Sequence, residues 1–268
     1  MQWERRPPLV AALGIGNNQL IGVILRIESG LRKSEETYRI SSLTTRLILS
    51  SPFVIVFLTL LFQVIPLTQP LAHRMLKENH LVELLTFVSL LFAGIIGLKL
   101  AWKTWRHKRG ILVTGFYVLF SIGLLLVAME EVSWGQWFFG FETPSAIKAV
   151  NKQGELNFHN MPALHAPCEF LRVAFGLGGL FGVWLSSWRP TRNIGAPAIL
   201  SSWFLLVAIL AALDIRNYYI PHSGDLIFDI ADRLVEVLEL LIGLSAFFYM
   251  WLNGRKLSDE WGQGEVPE

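Results

Sequence analysis

Long apolar runs recur along the chain at about Leu47–Leu67, Leu81–Ala101, Ile111–Met129, Phe170–Trp188, Ala196–Leu213 and Leu226–Leu252. Each is close to the roughly 20 residues that an α-helix needs to cross the hydrocarbon of a bilayer. The pattern predicts an all-α, polytopic membrane helix bundle of about six transmembrane helices. The first 46 residues read differently. Leu9–Ile27 is apolar but is interrupted by Asn17, Asn18 and Gln19, and a polar, Arg-containing stretch follows. Arg5 and Arg6 precede this stretch as in a signal peptide, yet a small-residue cleavage site is missing. The expected organisation is an interfacial, cytoplasmic segment over 1–46, a six-span bundle over 47–252 and a cytoplasmic tail over 253–268. A seventh span over 9–27 is the alternative.

Composition agrees with this pattern. Of the 268 residues, 53% are hydrophobic and 16% charged, with a mean hydropathy of +0.46, whereas ordinary soluble domains carry roughly 25% charged residues. The net charge of +2 is too small to imply a nucleic-acid partner. Cys168 is the single cysteine, so no internal disulfide can form.

Basic residues are sorted by loop. The N-terminal arm holds seven Lys and Arg, the 102–110 loop four, the 189–195 loop two and the C-terminal tail two. The alternate loops are sparse: Arg74 and Lys77, then Lys148 and Lys152, then Arg216. The positive-inside rule therefore puts both termini in the cytoplasm of a plasma membrane. Trp102, Trp105, Trp184, Trp188 and Trp251 fall near inner ends, and Trp134 and Trp137 near an outer one, as rings at a headgroup boundary do.

The remaining polar residues gather on the expected outer side. Span three ends in Glu130, Glu131, Ser133 and Gln136, and the 130–169 loop carries Glu155, Asn157, His159, Asn160 and His165. Span four opens with Glu169 and Arg172, span five ends at Asp214, and span six follows His222 and Asp225. Span two contributes Glu83. On span six, Asp229, Asp232, Arg233, Glu236 and Glu239 recur at spacings of three and four. That spacing makes one helical stripe about 15 Å long. An ionisable group at bilayer depth costs at least about 2.5–3.5 kcal/mol, so such a stripe has to face partners or trapped water. Interhelical locks to Arg172 or Arg233 are the bland reading for any one acid, but two arginines cannot neutralise the whole set.

Adjacent Glu130 and Glu131 point about 100° apart on a helix, and Glu130 shares a face with Ser133, Trp134 and Trp137, which favours it as the functional acid. Glu155, Asn157 and His159 alternate, as on extended backbone. Pro162 and Pro167 are expected to forbid regular helix between His159 and Glu169. The long connection is expected to fold back over the bundle as a lid, with Phe138, Phe139, Phe141 and Phe158 dipping into the interface.

The string EEVSWGQWFFGFETP, followed by NKQGELNFHNM, resembles a pattern found in a family of uncharacterised bacterial multi-pass membrane proteins. The resemblance covers Glu130 to Met161 and implies a bacterial inner membrane, with no activity attached.

Carboxylates and imidazoles suit a divalent metal, and Glu130, His159, His165, His222 and Asp225 are the candidate ligands. No HExxH, HxxxH or CxxC accompanies them, and Ser133 lacks a GxSxG context. The candidate catalytic set is Glu130, His159, Asp229, Asp232 and Glu236. Glu131, Ser133, Gln136, Asn157, Asn160, Arg172, Asp214, Arg233 and Glu239 complete an outward polar cavity. The inventory fits a membrane-embedded hydrolase or transferase acting on a lipid or lipid-linked substrate. A proton- or cation-coupled solute permease is the alternative, although inverted repeats and interrupted helices are missing. A non-catalytic accessory subunit gripping a partner membrane protein is the third reading.

Overall fold

The computed structural model describes residues 17–77, 80–151, 154–220 and 234–262. Among them helices follow one another without a strand: α1 Asn17–Tyr38, α2 Ser42–Val64, α3 Gln69–Met75, α4 Leu81–Arg106 and α5 Ile111–Glu131. They continue as α6 Gln136–Phe139, α7 Ser145–Lys148, α8 Pro162–Leu185, α9 Ser201–Tyr219 and α10 Val235–Gly262. Six of these are long and apolar enough to cross a membrane: α2, α4, α5, α8, α9 with its preceding 3-10 turn, and α10. The chain is a multi-pass membrane protein with an all-α bundle. Phe53, Phe57, Phe92, Leu119, Phe170 and Phe181 lie exposed on its outside, where lipid rather than water is the matching solvent. α1 carries Arg26, Glu28, Arg32, Lys33, Glu35 and Glu36 and is not among the six; residues 9–16 of the alternative seventh span lie outside the described residues.

Three boundaries differ from the sequence expectation. α2 starts at Ser42, because the Ser41 hydroxyl accepts the Thr44 N–H at 3.1 Å and caps the helix ahead of the apolar run. α10 continues to Gly262, well into the expected tail. The third is a correction: α8 begins at Pro162 and runs through Pro167 and Glu169. Pro162 occupies the first helical position, where no N–H is required. Pro167 forfeits only the bond to the carbonyl of Ala163, an exposed residue in the opening turn.

α4 and α5 form an antiparallel hairpin whose connection turns through Lys108 (φ 51°) and Gly110 (φ 93°). α10 packs on α4, α8 and α9 make a second hairpin, and α9 joins the two halves by touching both α10 and α2. At Gly97 a Cβ atom would lie 2.1 Å from Ser121 Oγ and 2.6 Å from Met250 Cε, so glycine there lets α4, α5 and α10 approach closely. The antiparallel order brings the starts of α4, α8 and α10 and the ends of α5 and α9 to one face, called the loop face here. The opposite ends form the other face.

Pro52 sits inside α2 and leaves the Ile48 carbonyl without its helical donor. The indole of fully buried Trp203 on α9 donates to that carbonyl at 2.7 Å, and Ser202 Oγ donates to the neighbouring Leu49 carbonyl at 2.8 Å. Repairs of this kind let proline persist in membrane helices. Trp203→Phe should therefore lower stability by about 1–3 kcal/mol. Adding Pro52→Ala, which returns an N–H to Ile48, should recover part of the loss in detergent-solubilised thermal unfolding; no recovery would break the link.

Candidate functional site at the loop face

α5 ends in a backbone conformation that L-residues avoid. Ser133, Trp134 and Gly135 have φ of 47°, 55° and 88° in succession, at roughly 1–2 kcal/mol for each non-glycine residue. Side-chain bonds offset this strain. Ser133 Oγ donates to Glu155 Oε2 at 2.6 Å and accepts from Asn157 Nδ2 at 3.3 Å. The Trp134 indole donates to Glu130 Oε1 at 2.5 Å, and its ring meets Phe158 edge-on at 6.3 Å. Gln136 ties three points of the loop: its Nε2 donates to the Phe141 carbonyl (2.9 Å) and Thr143 Oγ1 (2.8 Å), and its Oε1 accepts the Leu156 N–H (2.9 Å). Buried Asn151 donates to both the carbonyl and Oδ1 of Asn157, at 2.7 and 2.8 Å. The left-handed turn thus folds the 132–161 loop back onto the end of α5.

That fold delivers His159 to Glu130. Glu130 Oε2 accepts the N–H groups of Phe158 (2.6 Å) and His159 (3.1 Å), and the His159 Nδ1 lies 3.4 Å away. The Asn160 amide stands 3.0 Å from the other ring nitrogen, Nε2. With Nδ1 protonated toward the carboxylate, Nε2 is the ring's acceptor. Burial disfavours the charged ring, but the bond to Glu130 and the charges of Glu239 and Glu130 outweigh it and hold the His159 pKa above its ordinary value.

Beside this pair lies an arginine shared by three helices. Arg172 on α8 donates through Nη1 to Glu169 Oε1 (2.7 Å) of its own helix and to Asp214 Oδ2 (3.2 Å) on α9, and through Nη2 to Glu239 on α10. Glu131 is buried and lies within electrostatic reach of Glu239, Glu83, Glu236 and Arg172. The field of Glu239 and Arg172 also reaches His159, so loop and hub make one continuous polar region in which carboxyl groups outnumber cations.

Many of the residues expected from sequence meet here. Glu130, His159, Ser133, Gln136, Asn157 and Asn160 form the loop network; Glu131, Arg172, Asp214, Glu236 and Glu239 form or flank the hub. The two adjacent acids part, and Glu130 shares a face with Trp134 as expected. Glu131 turns into the bundle, while Glu130 turns to the loop, where four donors occupy its oxygens. His222, Asp225, Asp229, Asp232 and Arg233 lie outside the described residues, as does the side chain of His165. Of the expected metal ligands, Glu130 and His159 adjoin, and among the described residues no group of three His, Cys, Asp or Glu is arranged to hold a metal. Asn151 and the left-handed turn were not expected. Gly135 and Gly154, both at positive φ, were their only sequence signal.

No family model, curated protein or solved structure matches the chain.

Because the folded pKa of His159 lies above its unfolded value of about 6.5, its contact with Glu130 stabilises the loop fully below that pH. The stabilisation fades as pH rises through the elevated folded value. Glu130→Gln should move the His159 titration, followed by NMR of labelled imidazole in micelles, to lower pH. An unmoved midpoint would remove Glu130 as the cause.

Proposed function

We propose that this protein is a membrane-embedded hydrolase or transferase of the bacterial inner membrane; the resemblance of its EEVSWGQ pattern supports the membrane and carries no activity. The loop face is the outer one, both termini are cytoplasmic, and the substrate is a lipid or lipid-linked molecule. The observation that carries this reading is the His159–Glu130 pair, brought together by the strained turn at Ser133–Gly135 beside the Arg172 hub. Strained backbone persists where surrounding bonds over-determine it, and it clusters at functional sites. Basic residues support the orientation: Lys103, Arg106, Lys108, Arg109, Arg189, Arg192, Arg255 and Lys256 lie at the ends opposite the loop face, against Arg74, Lys77, Lys148 and Arg216, among the described residues, at the loop-face ends.

In this reading His159 Nε2 takes the proton of water or an acceptor hydroxyl as that oxygen attacks an ester or phosphoester of the substrate. The ring then returns the proton to the departing alcohol oxygen. Glu130 is a positioning residue: it fixes the tautomer and stabilises the transient imidazolium. Hydrogen-bonded Asn160 has to yield Nε2 when substrate arrives. A lipid substrate suits the surroundings, because an apolar cavity of about 330 Å³ runs among α5, α8, α9 and α10 from Ala174 and Phe175, in the turn after Arg172, toward Ile194 and Ala196 at the opposite face. It gives an acyl chain room beneath a polar head group.

The permease alternative draws on Glu131, buried near Glu83, Glu236 and Glu239, and one experiment separates the two. Protein in nanodiscs should consume a lipid ester or phosphoester from a bacterial lipid extract, and His159→Ala and Glu130→Gln should each slow turnover by about 10²-fold or more while leaving the gel-filtration profile unchanged. Full activity of the double variant would overturn the proposal. So would intact lipid combined with solute uptake into proteoliposomes.

A further inference from the structure

On the face opposite the loop lies a second cavity of about 680 Å³, between α4, α10 and the junction of α1 with α2. Its cations are Arg39, Lys99, Lys103 and Arg255, and the one acid lining it is Asp259, which is already ion-paired with Arg39. Trp102 and Trp251 stand at its sides, and Ile96 and Leu100 make its apolar floor. Arg255 is fixed by donating to the carbonyls of Tyr38 (2.7 Å) and Arg39 (2.6 Å) and lies over the Trp251 ring, 5.3 Å from its centroid.

Lys99 decides what such a cavity takes. It sits two helical turns before the end of α4, within a helix apolar enough to span the membrane, and its neighbour one turn on is Lys103. Two lysines stacked at i and i+4 repel one another. Both side chains are exposed beside the cavity, so an anion lying between them is favoured. Tryptophans at a headgroup boundary beside clustered Lys and Arg, with an apolar floor leading away, match the parts of a phospholipid: phosphate against the cations, glycerol ester level with the indoles, chain along Ile96. We propose that this cavity binds an anionic phospholipid, its phosphate held by Lys99, Lys103, Arg39 and Arg255. The volume falls within the range of small-molecule sites, and the site is separate from the loop-face chemistry, so it stands whether or not that reading does.

The test is lipid titration of the full-length protein in mixed micelles, read by native mass spectrometry and by the thermal unfolding midpoint. Phosphatidylglycerol should bind and raise the midpoint well above phosphatidylcholine of the same chains. Lys99→Gln with Lys103→Gln, both exposed side chains, should weaken phosphatidylglycerol about 30-fold, from about fivefold per cation near a membrane surface. Arg255→Lys, which keeps the charge while altering the bonds to α1, should retain the preference if charge rather than that scaffold is responsible. Equal binding of the two lipids, an undiminished preference in the double variant, or loss of preference in Arg255→Lys alone would each overturn the proposal. Inorganic phosphate reproducing the full effect would overturn it too, by reducing the cavity to a site for free anions.

Discussion

The bundle depends on one guanidinium. Arg172 reaches carboxylates on α8, α9 and α10 at once, and a planar group with five donors in a fixed fork is the side chain suited to that geometry. Charges held away from water survive only when paired and hydrogen-bonded. Each of the three acids is therefore bound to the same point, and so are the helices that carry them. Apolar packing alone would not choose this arrangement, because lipid tails and leucine side chains are equally good neighbours for an apolar helix.

From that point the loop-face architecture follows outward. With α8, α9 and α10 fixed at one end, Glu131 of α5 finds itself among Glu83, Glu236 and Glu239, and its neighbour Glu130 is left to face away from the bundle. Glu130 then accepts the backbone and ring donors that the returning loop presents. The left-handed turn through Ser133, Trp134 and Gly135 makes this return possible within three residues. The stored strain and the saturated carboxylate are two sides of one arrangement: the bonds of Glu130, Glu155 and Asn157 hold a backbone that would otherwise relax.

The helices were legible in the sequence because membrane spans are written as long apolar runs, and the six found match the six expected. The gathering of polar groups at one end was legible from the same runs, since alternating helices must bring Glu130, Arg172, Asp214 and Glu239 to a common face. Finer features were not. Hydropathy is blind to a proline at the first helical position, so Pro162 looked like a barrier when it is a start. Helical periodicity separates Glu130 from Glu131 by 100° but does not say where the bundle axis lies, and that is set by α5 packing on α4 and α4 on α10. The turn at Ser133 is invisible to pattern reading because two of its three residues are types that rarely take φ near 50°.

The two faces divide the work by charge. On the loop face, acids gather around His159 and Arg172; on the other, Arg39, Lys99, Lys103 and Arg255 line a cavity with Trp102 and Trp251, and the apolar lengths of six helices separate the two. The coupling at Arg172 is measured directly by a double-mutant cycle of Arg172→Met and Glu239→Gln, with unfolding followed in mixed micelles. Removing the cation alone should cost about 3–5 kcal/mol by leaving carboxylates uncompensated, and the loss should shrink by about 0.5–3 kcal/mol when Glu239 has already been neutralised. Losses that simply add, to within about 0.5 kcal/mol, would show that the two residues do not meet and that the helices are assembled by something else.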